Sequence, residues 1–229
     1  MAILVGIDGT GSDVTPGAAR DARYDIAFAN SFVTRLCRNK PNAAYWRGPV
    51  ALGGGLVPAI NGAYNYIVQR RQQNSSEPIL LTGYSRGAAG VVSLAAKLKD
   101  NNISVRAMLL FDCVDRHMFI DAEVIPNNVG YVHHVIRHPN SGSRESFSND
   151  GLSYYPPTVY PAAYQFMCTH GGMGGCPWTA PPGTPPGTLI NEGGVDGMTN
   201  ISYANDALVS TQVWAHCQTF MRTHGFLNP

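Results

Sequence analysis

Apolar positions along this chain alternate between short continuous runs and helical spacing. Residues 3–7 form an apolar run closed by Asp8-Gly9-Thr10-Gly11, the pattern of a strand buried on both faces. Ala27, Phe28, Phe32 and Leu36 then recur at helical intervals and predict an amphipathic helix over about 22–38. A brief strand is expected at 44–47, a glycine loop at 53–55, and a helix marked by Leu56, Ile60, Ala63 and Ile67. The clearest unit comes next: a strand over 79–82, a turn, a helix marked by Ala88, Val91, Val92, Ala95 and Leu98, and a strand over 105–111 ending on Asp112. Strand, helix and strand in this order predict a parallel sheet with crossover helices.

Beyond Pro126 the pattern loosens. Strands are expected at 129–136 and 164–168, a polar loop at 141–150, an extended proline- and glycine-rich surface loop at 177–195, and a closing helix over 206–222. Neither a repeat nor a shift in composition divides the 229 residues, so the expectation is one domain over 1–229.

Hydrophobic residues make up 44% of the chain and charged ones 14%, enough for a large core. A formal charge of +1 with scattered basic residues speaks against nucleic acid or an anionic membrane as partner. No run of about 20 apolar residues predicts a membrane span. The chain enters its first strand without a basic or long apolar leader, so the expectation is a soluble protein, cytoplasmic as synthesised, with export open only by a route lacking a cleavable signal peptide. Five cysteines show no metal-type spacing, and no metal or organic cofactor is expected. Cys168 and Cys176 flank a glycine-rich stretch and could pair, against a default of buried free thiols.

The candidate chemistry centres on Gly83-Tyr84-Ser85-Arg86-Gly87. G-x-S-x-G is common by chance, but here an apolar strand precedes it and an amphipathic helix follows. That context is the one a nucleophile elbow requires, with Ser85 on a strained strand-to-helix turn and glycines where side chains would collide with the neighbouring strand and helix. The expected fold is therefore α/β-hydrolase-like, a mostly parallel sheet flanked by helices in three layers. An elbow serine needs an orienting acid and then a histidine later in the chain. Asp112, at the carboxyl edge of the sheet, is preferred over Asp115 and Asp121, any of which could instead cap a turn. Among the seven histidines, His170 is the expected base because it opens a glycine-rich stretch after a predicted strand. His216 is its rival, with a place on the amphipathic closing helix as its other reading, and His117 is a weaker candidate. Backbone N–H groups of Arg86 and of the loop around Gly9 and Thr10 are the expected oxyanion donors.

Several ordered blocks resemble a known family. Ile7-Asp8-Gly9-Thr10-Gly11 is similar to its F-D-G-T-x-N block, and the segment 45–55 to its Tyr-x-x-Gly-x-Gly segment. Gly83-Tyr84-Ser85-Arg86-Gly87-Ala88 resembles its G-F-S-R-G-A elbow, Phe111-Asp112-Cys113-Val114 its F-D-T-V strand end, and His170-Gly171-Gly172-Met173-Gly174-Gly175 its H-S-D-V-G-G block. Residues 205–226 resemble its closing helix. This is the α/β-hydrolase-like domain family that includes a class of type VI secretion phospholipase effectors. The resemblance implies a serine hydrolase acting on an ester, lipids included. Two departures stand out. The aspartate two positions after the family's histidine is Gly172 here, and the chain has no room for large membrane-docking insertions.

The expected activity is hydrolysis of a carboxylic ester, small or lipid-derived, with a short or medium acyl chain, by Ser85, His170 and Asp112. Tyr154, Tyr155, Tyr160 and the 177–195 loop are candidates to wall an acyl pocket, with simple packing an equal reading for the tyrosines. Amidase, thioesterase or acyltransferase chemistry on the same triad stays open, as does a non-catalytic binding protein on the same fold.

Overall fold

The computed structural model describes residues 2–15, 17–117 and 120–227. Six strands form one sheet in the order β2-β1-β3-β4-β6-β8. They are β2 (Ala43–Trp46), β1 (Ile3–Ile7), β3 (Ile79–Tyr84), β4 (Val105–Phe111), β6 (Val129–Arg137) and β8 (Tyr164–Phe166). Each neighbouring pair runs parallel.

The side-chain alternation of each strand sorts the core into two layers. Ile3, Val5 and Ile7 of β1, with Leu81 of β3 and Met108 and Leu110 of β4, face helices α3 (Leu56–Gln73) and α4 (Arg86–Lys99). Leu4, Leu80, Leu109 and Phe111 face the opposite layer, α1 (Ala18–Ala27), α2 (Phe32–Cys37) and α6 (Tyr203–His224). Strands buried on both faces need no polar side, which is why β1, β3 and β4 read as continuous apolar runs. The result is the expected α/β-hydrolase-type, three-layer arrangement of a parallel sheet between helices.

Strand order places the site. From β1 the chain moves outward to β2 through α1 and α2 on one face. It then returns through α3 on the other face to β3, and continues away through α4 to β4. The order therefore reverses between β1 and β3, and their carboxyl ends form the crevice where open α/β sheets bind ligands.

Three local expectations change. The helix expected over 22–38 is two helices, because Ser31 interrupts it: its Oγ caps α2 by accepting from the Thr34 N–H at 2.9 Å. The 177–195 stretch is not wholly loop, since β9 (Leu189–Asn191) pairs antiparallel with β10 (Met198–Ser202). There Ile190 is buried and the glycines Gly193 and Gly194 turn the chain at positive φ. A small parallel pair, β5 (Val124–Ile125) with β7 (Ser153–Tyr154), was not anticipated. Helix α5 is the single turn His170–Met173. All five cysteines are free thiols, so Cys168 and Cys176 are not bridged. Among the described residues no helix is long and apolar enough to cross a membrane.

Candidate active site

Ser85 links β3 to α4 with φ 56° and ψ −130°, a conformation that costs free energy for any residue bearing a side chain. Packing imposes it. A Cβ on Gly83 would lie 2.6 Å from the Ala88 Cα, and one on Gly87 would lie 2.2 Å from the Asp8 carbonyl oxygen. Helix α4 thus crosses directly against β1 and β3, and only glycine fits at both crossings. The Ser85 N–H is held by the Phe111 carbonyl at 3.0 Å, which ties the elbow to the end of β4.

Asp112 follows at the tip of β4, fully buried, with φ 45°. Its Oδ2 accepts from His170 Nδ1 and from Arg137 Nη1, each at 2.6 Å. Its Oδ1 accepts from the Arg137 N–H at 3.1 Å and from Asn149 Nδ2 at 2.7 Å. Burial alone would raise the carboxyl's pKa, but the hydrogen bond and charge of His170, the Arg137 guanidinium and Asn149 together hold it well below the ordinary range. The carboxylate is therefore ionised and can only accept, so His170 carries its proton on Nδ1. That leaves Nε2 as acceptor, 2.8 Å from Ser85 Oγ. Serine, histidine and aspartate form one continuous hydrogen-bonded line.

His170 is gripped from every side. Its N–H donates to Ser143 Oγ at 2.8 Å, and its carbonyl accepts from the Tyr84 hydroxyl at 2.9 Å. The Tyr84 ring tilts against the imidazole at 5.1 Å, and Phe147 meets it edge-on at 5.4 Å. Below lies a residue that the sequence pattern did not single out. Asp206, in the first turn of α6 and fully buried, accepts from the Thr169 N–H at 2.8 Å, Thr169 Oγ1 at 2.9 Å and the Trp178 N–H at 2.9 Å. It clasps both flanks of the histidine turn. A Cβ on Gly172 would lie 2.5 Å from Asp206 Oδ1, so the missing side chain at 172 makes room for this carboxylate. In sequence, an acid in the first turn of a helix looks like ordinary dipole compensation, and nothing marks Asp206 as different.

The other candidates go elsewhere. Asp115 caps a turn by accepting from the His117 and Ala122 N–H groups, each at 3.1 Å, and Asp121 accepts from the Glu123 N–H at 3.2 Å. His216 sits on α6 against Tyr164 at 4.5 Å, and His117 contacts the Gly53 carbonyl at 3.2 Å. The expected donor Gly9 is corrected: its N–H donates to Asp8 Oδ1 at 2.9 Å and is not free for an oxyanion. Thr10 does line the site, and Arg86 Nε donates to its Oγ1 at 2.7 Å, holding the loop after β1 against the start of α4.

Ser85 opens into a cleft of about 680 Å³, lined among others by Leu52, Val114, Phe147 and Trp178. The candidate aromatic wall is also corrected. Tyr154, Tyr155 and Tyr160 are not part of this cleft: Tyr154 and Tyr155 are exposed, and the buried Tyr160 hydroxyl meets His134 Nδ1 at 3.1 Å. The 177–195 segment contributes only Trp178 and Glu192. Among the described residues no group of side chains is arranged to hold a metal ion.

A scan against known protein families finds no match, and neither does a search of curated proteins. Distant likenesses exist among solved structures. A YdeN-like hydrolase from Pectobacterium atrosepticum is 15% identical over 59% of this chain and 63% of its own, with a TM-score of 0.35. An acetyl xylan esterase is 11% identical over 96% of this chain and 97% of its own, also at 0.35. A protein of unknown function from Agrobacterium tumefaciens is 15% identical over 74% of this chain and 82% of its own, at 0.37. The chain thus spans under two thirds of the length of the first of these. At such scores the likeness carries no argument about activity, and the architecture rests on the strand order itself.

Proposed function

We propose that this protein is a serine hydrolase that cleaves a carboxylic ester. The observation that carries this reading is the unbroken line from Ser85 Oγ through His170 to Asp112, set on a strained elbow at the floor of an open cleft. In this reading His170 Nε2 takes the hydroxyl proton as Ser85 Oγ attacks the ester carbonyl. Asp112 stabilises the imidazolium, which then protonates the departing alcohol. Water repeats the attack on the acyl-enzyme and frees the acid. The first N–H groups of α4 have no acceptor within the helix, so the Arg86 N–H is one oxyanion donor and the Thr10 N–H the other. The triad is complete, which favours an enzyme over a binding protein that has lost its chemistry.

The resemblance to the type VI effector family supports the same acyl chemistry, but a soluble or dispersed ester with a short or medium acyl chain suits this site better than packed lipid. Neither the 141–150 loop nor the 177–195 segment supplies an amphipathic helix to lie in a membrane interface. Rates on p-nitrophenyl esters of increasing chain length, and on phosphatidylcholine vesicles, test this. Turnover of short and medium esters that disappears in Ser85→Ala is expected. Efficient vesicle hydrolysis without turnover of short esters would return the site to the phospholipases.

A further inference from the structure

The cleft that holds Ser85 is lined by more cationic than anionic side chains. Arg86, Arg116 and Arg144 line it against a single carboxylate, Glu192. Glu192 and Arg144 are already engaged. Glu192 accepts from Ser143 Oγ at 3.0 Å and from the Arg144 N–H at 2.7 Å, while the Arg144 guanidinium pairs with Asp196 at 3.0 Å. Arg86 and Arg116 differ. Among the described residues neither has a carboxylate within 4.0 Å, whereas Arg38, Arg47 and Arg70, half-buried like Arg86, and the buried Arg137 each have one.

Arg86 is half-buried and, among the described residues, bonds only to neutral acceptors, Thr10 Oγ1 at 2.7 Å and the Ala51 carbonyl at 2.9 Å. Those bonds leave most of its five N–H donors unspent. Burial and the like charge of Arg116 both act against its protonated form. Arg116 is exposed, its guanidinium 5.0 Å from the centre of the Phe147 ring, and that ring in turn touches His170. One guanidinium therefore stands beside the oxyanion loop and the other a single ring away from the imidazole. Two cations facing one cleft repel each other and strain their hydration, a cost that an incoming anion removes by charge-assisted hydrogen bonds.

We propose that Arg86 and Arg116 form an anion subsite, and that the natural substrate is a small ester carrying a carboxylate or phosphate group beyond the scissile carbonyl. The inference rests on the hydrolase reading for the word ester, while the subsite itself rests on the two unpaired guanidiniums.

Matched pairs of esters differing in one charge separate these two layers. 4-Nitrophenyl hydrogen adipate against 4-nitrophenyl methyl adipate places the charge on the acyl side. 4-Acetoxybenzoate against its methyl ester places it on the alcohol side. In at least one pair the anionic ester is expected to have a kcat/KM about tenfold higher at low salt, a preference that shrinks as ionic strength rises. Arg116→Gln should bring that ratio close to one, and Arg116→Lys, which keeps the charge, should retain part of it. The same pairs titrated calorimetrically into Ser85→Ala protein read the charge preference without turnover. Hydrolysis of both members with no preference for the anion in either pair, or a ratio unmoved by Arg116→Gln, would overturn the subsite and leave the hydrolase standing. No turnover of any ester, with tighter binding of the anionic one to Ser85→Ala, would keep the subsite and remove the hydrolase.

Discussion

Two carboxylates sit at the carboxyl edge of the same sheet, both fully buried, and the protein treats them in opposite ways. Asp112 at the end of β4 is surrounded by a guanidinium, an imidazole and an amide, and is held ionised. Among the described residues Asp8, at the end of β1, meets only neutral donors: the Gly9 N–H, the Tyr45 hydroxyl at 3.1 Å, Thr34 Oγ1 at 3.4 Å and the Ser31 hydroxyl. Desolvation then prevails over those hydrogen bonds and pushes its pKa up to about 6. Burial does not decide the charge of a carboxylate. Between these two, the charge of the partners sets the direction of the pKa shift, and only the cation-paired one faces a histidine.

The comparison is broken most severely by removing the charge from Asp112. Asp112→Asn keeps the shape but no longer selects the Nδ1–H tautomer, and kcat should fall by about 10⁴-fold, as for the triad aspartate of serine proteases. Steady-state kinetics on a short p-nitrophenyl ester reads this, and a loss below tenfold would show that the carboxylate is only structural.

Asp206 supplies an intermediate case, a buried carboxylate that touches neither substrate nor imidazole. It acts through Thr169 and Trp178, so Asp206→Asn should displace His170 slightly and lower kcat about 10- to 100-fold. KM should rise as well, because Trp178, which Asp206 holds, lines the cleft. A change confined to thermal stability, with kcat intact, would make Asp206 a packing residue.

The effect at Asp8 is a matter of stability and leaves the rate untouched. Its folded pKa lies above the unfolded 3.8, so the folded chain binds the proton more tightly, and stability falls as pH rises from about 4 to about 6. Asp112 has the opposite sign, stabilising above its unfolded pKa and losing that contribution only in strong acid. Asp8→Asn should flatten the Asp8 window. Relative to wild type, the variant should gain about 2–3 kcal/mol between pH 4 and 7, read by denaturant unfolding at both pH values. An unchanged difference across that range would mean that Asp8 is ionised throughout.

Much of this was legible in the chain, for reasons that differ by residue. β1, β3 and β4 could be read because strands covered on both faces are continuously apolar. Ser85 could be located because the turn's glycines are imposed by backbone-to-backbone contact, which leaves a fixed spacing in the sequence. Asp112 and His170 end or follow predicted strands, and strand ends converge at one edge of the sheet. What stayed hidden is made by long-range contact. Asp206 reaches its partners 28 to 37 residues away, and no periodicity encodes that. The loss of the Gly9 donor depends on the neighbouring Asp8 side chain folding back, and the cleft wall depends on which loops drape over β3. Tyr154 and Tyr155 looked like a wall because they are aromatic and close in sequence, yet neither lines the cleft, and Tyr155 lies against Lys99 at the end of α4 away from the elbow.

The central claim is that Ser85 is an activated nucleophile. Intact-mass measurement after treatment with a fluorophosphonate tests it most directly, because the reagent reacts with a serine that has both a base and an oxyanion site. One adduct is expected, located at Ser85 by peptide mapping, absent from Ser85→Ala and formed far more slowly by His170→Ala. An unlabelled wild-type protein, or an adduct of equal yield in Ser85→Ala, would contradict it.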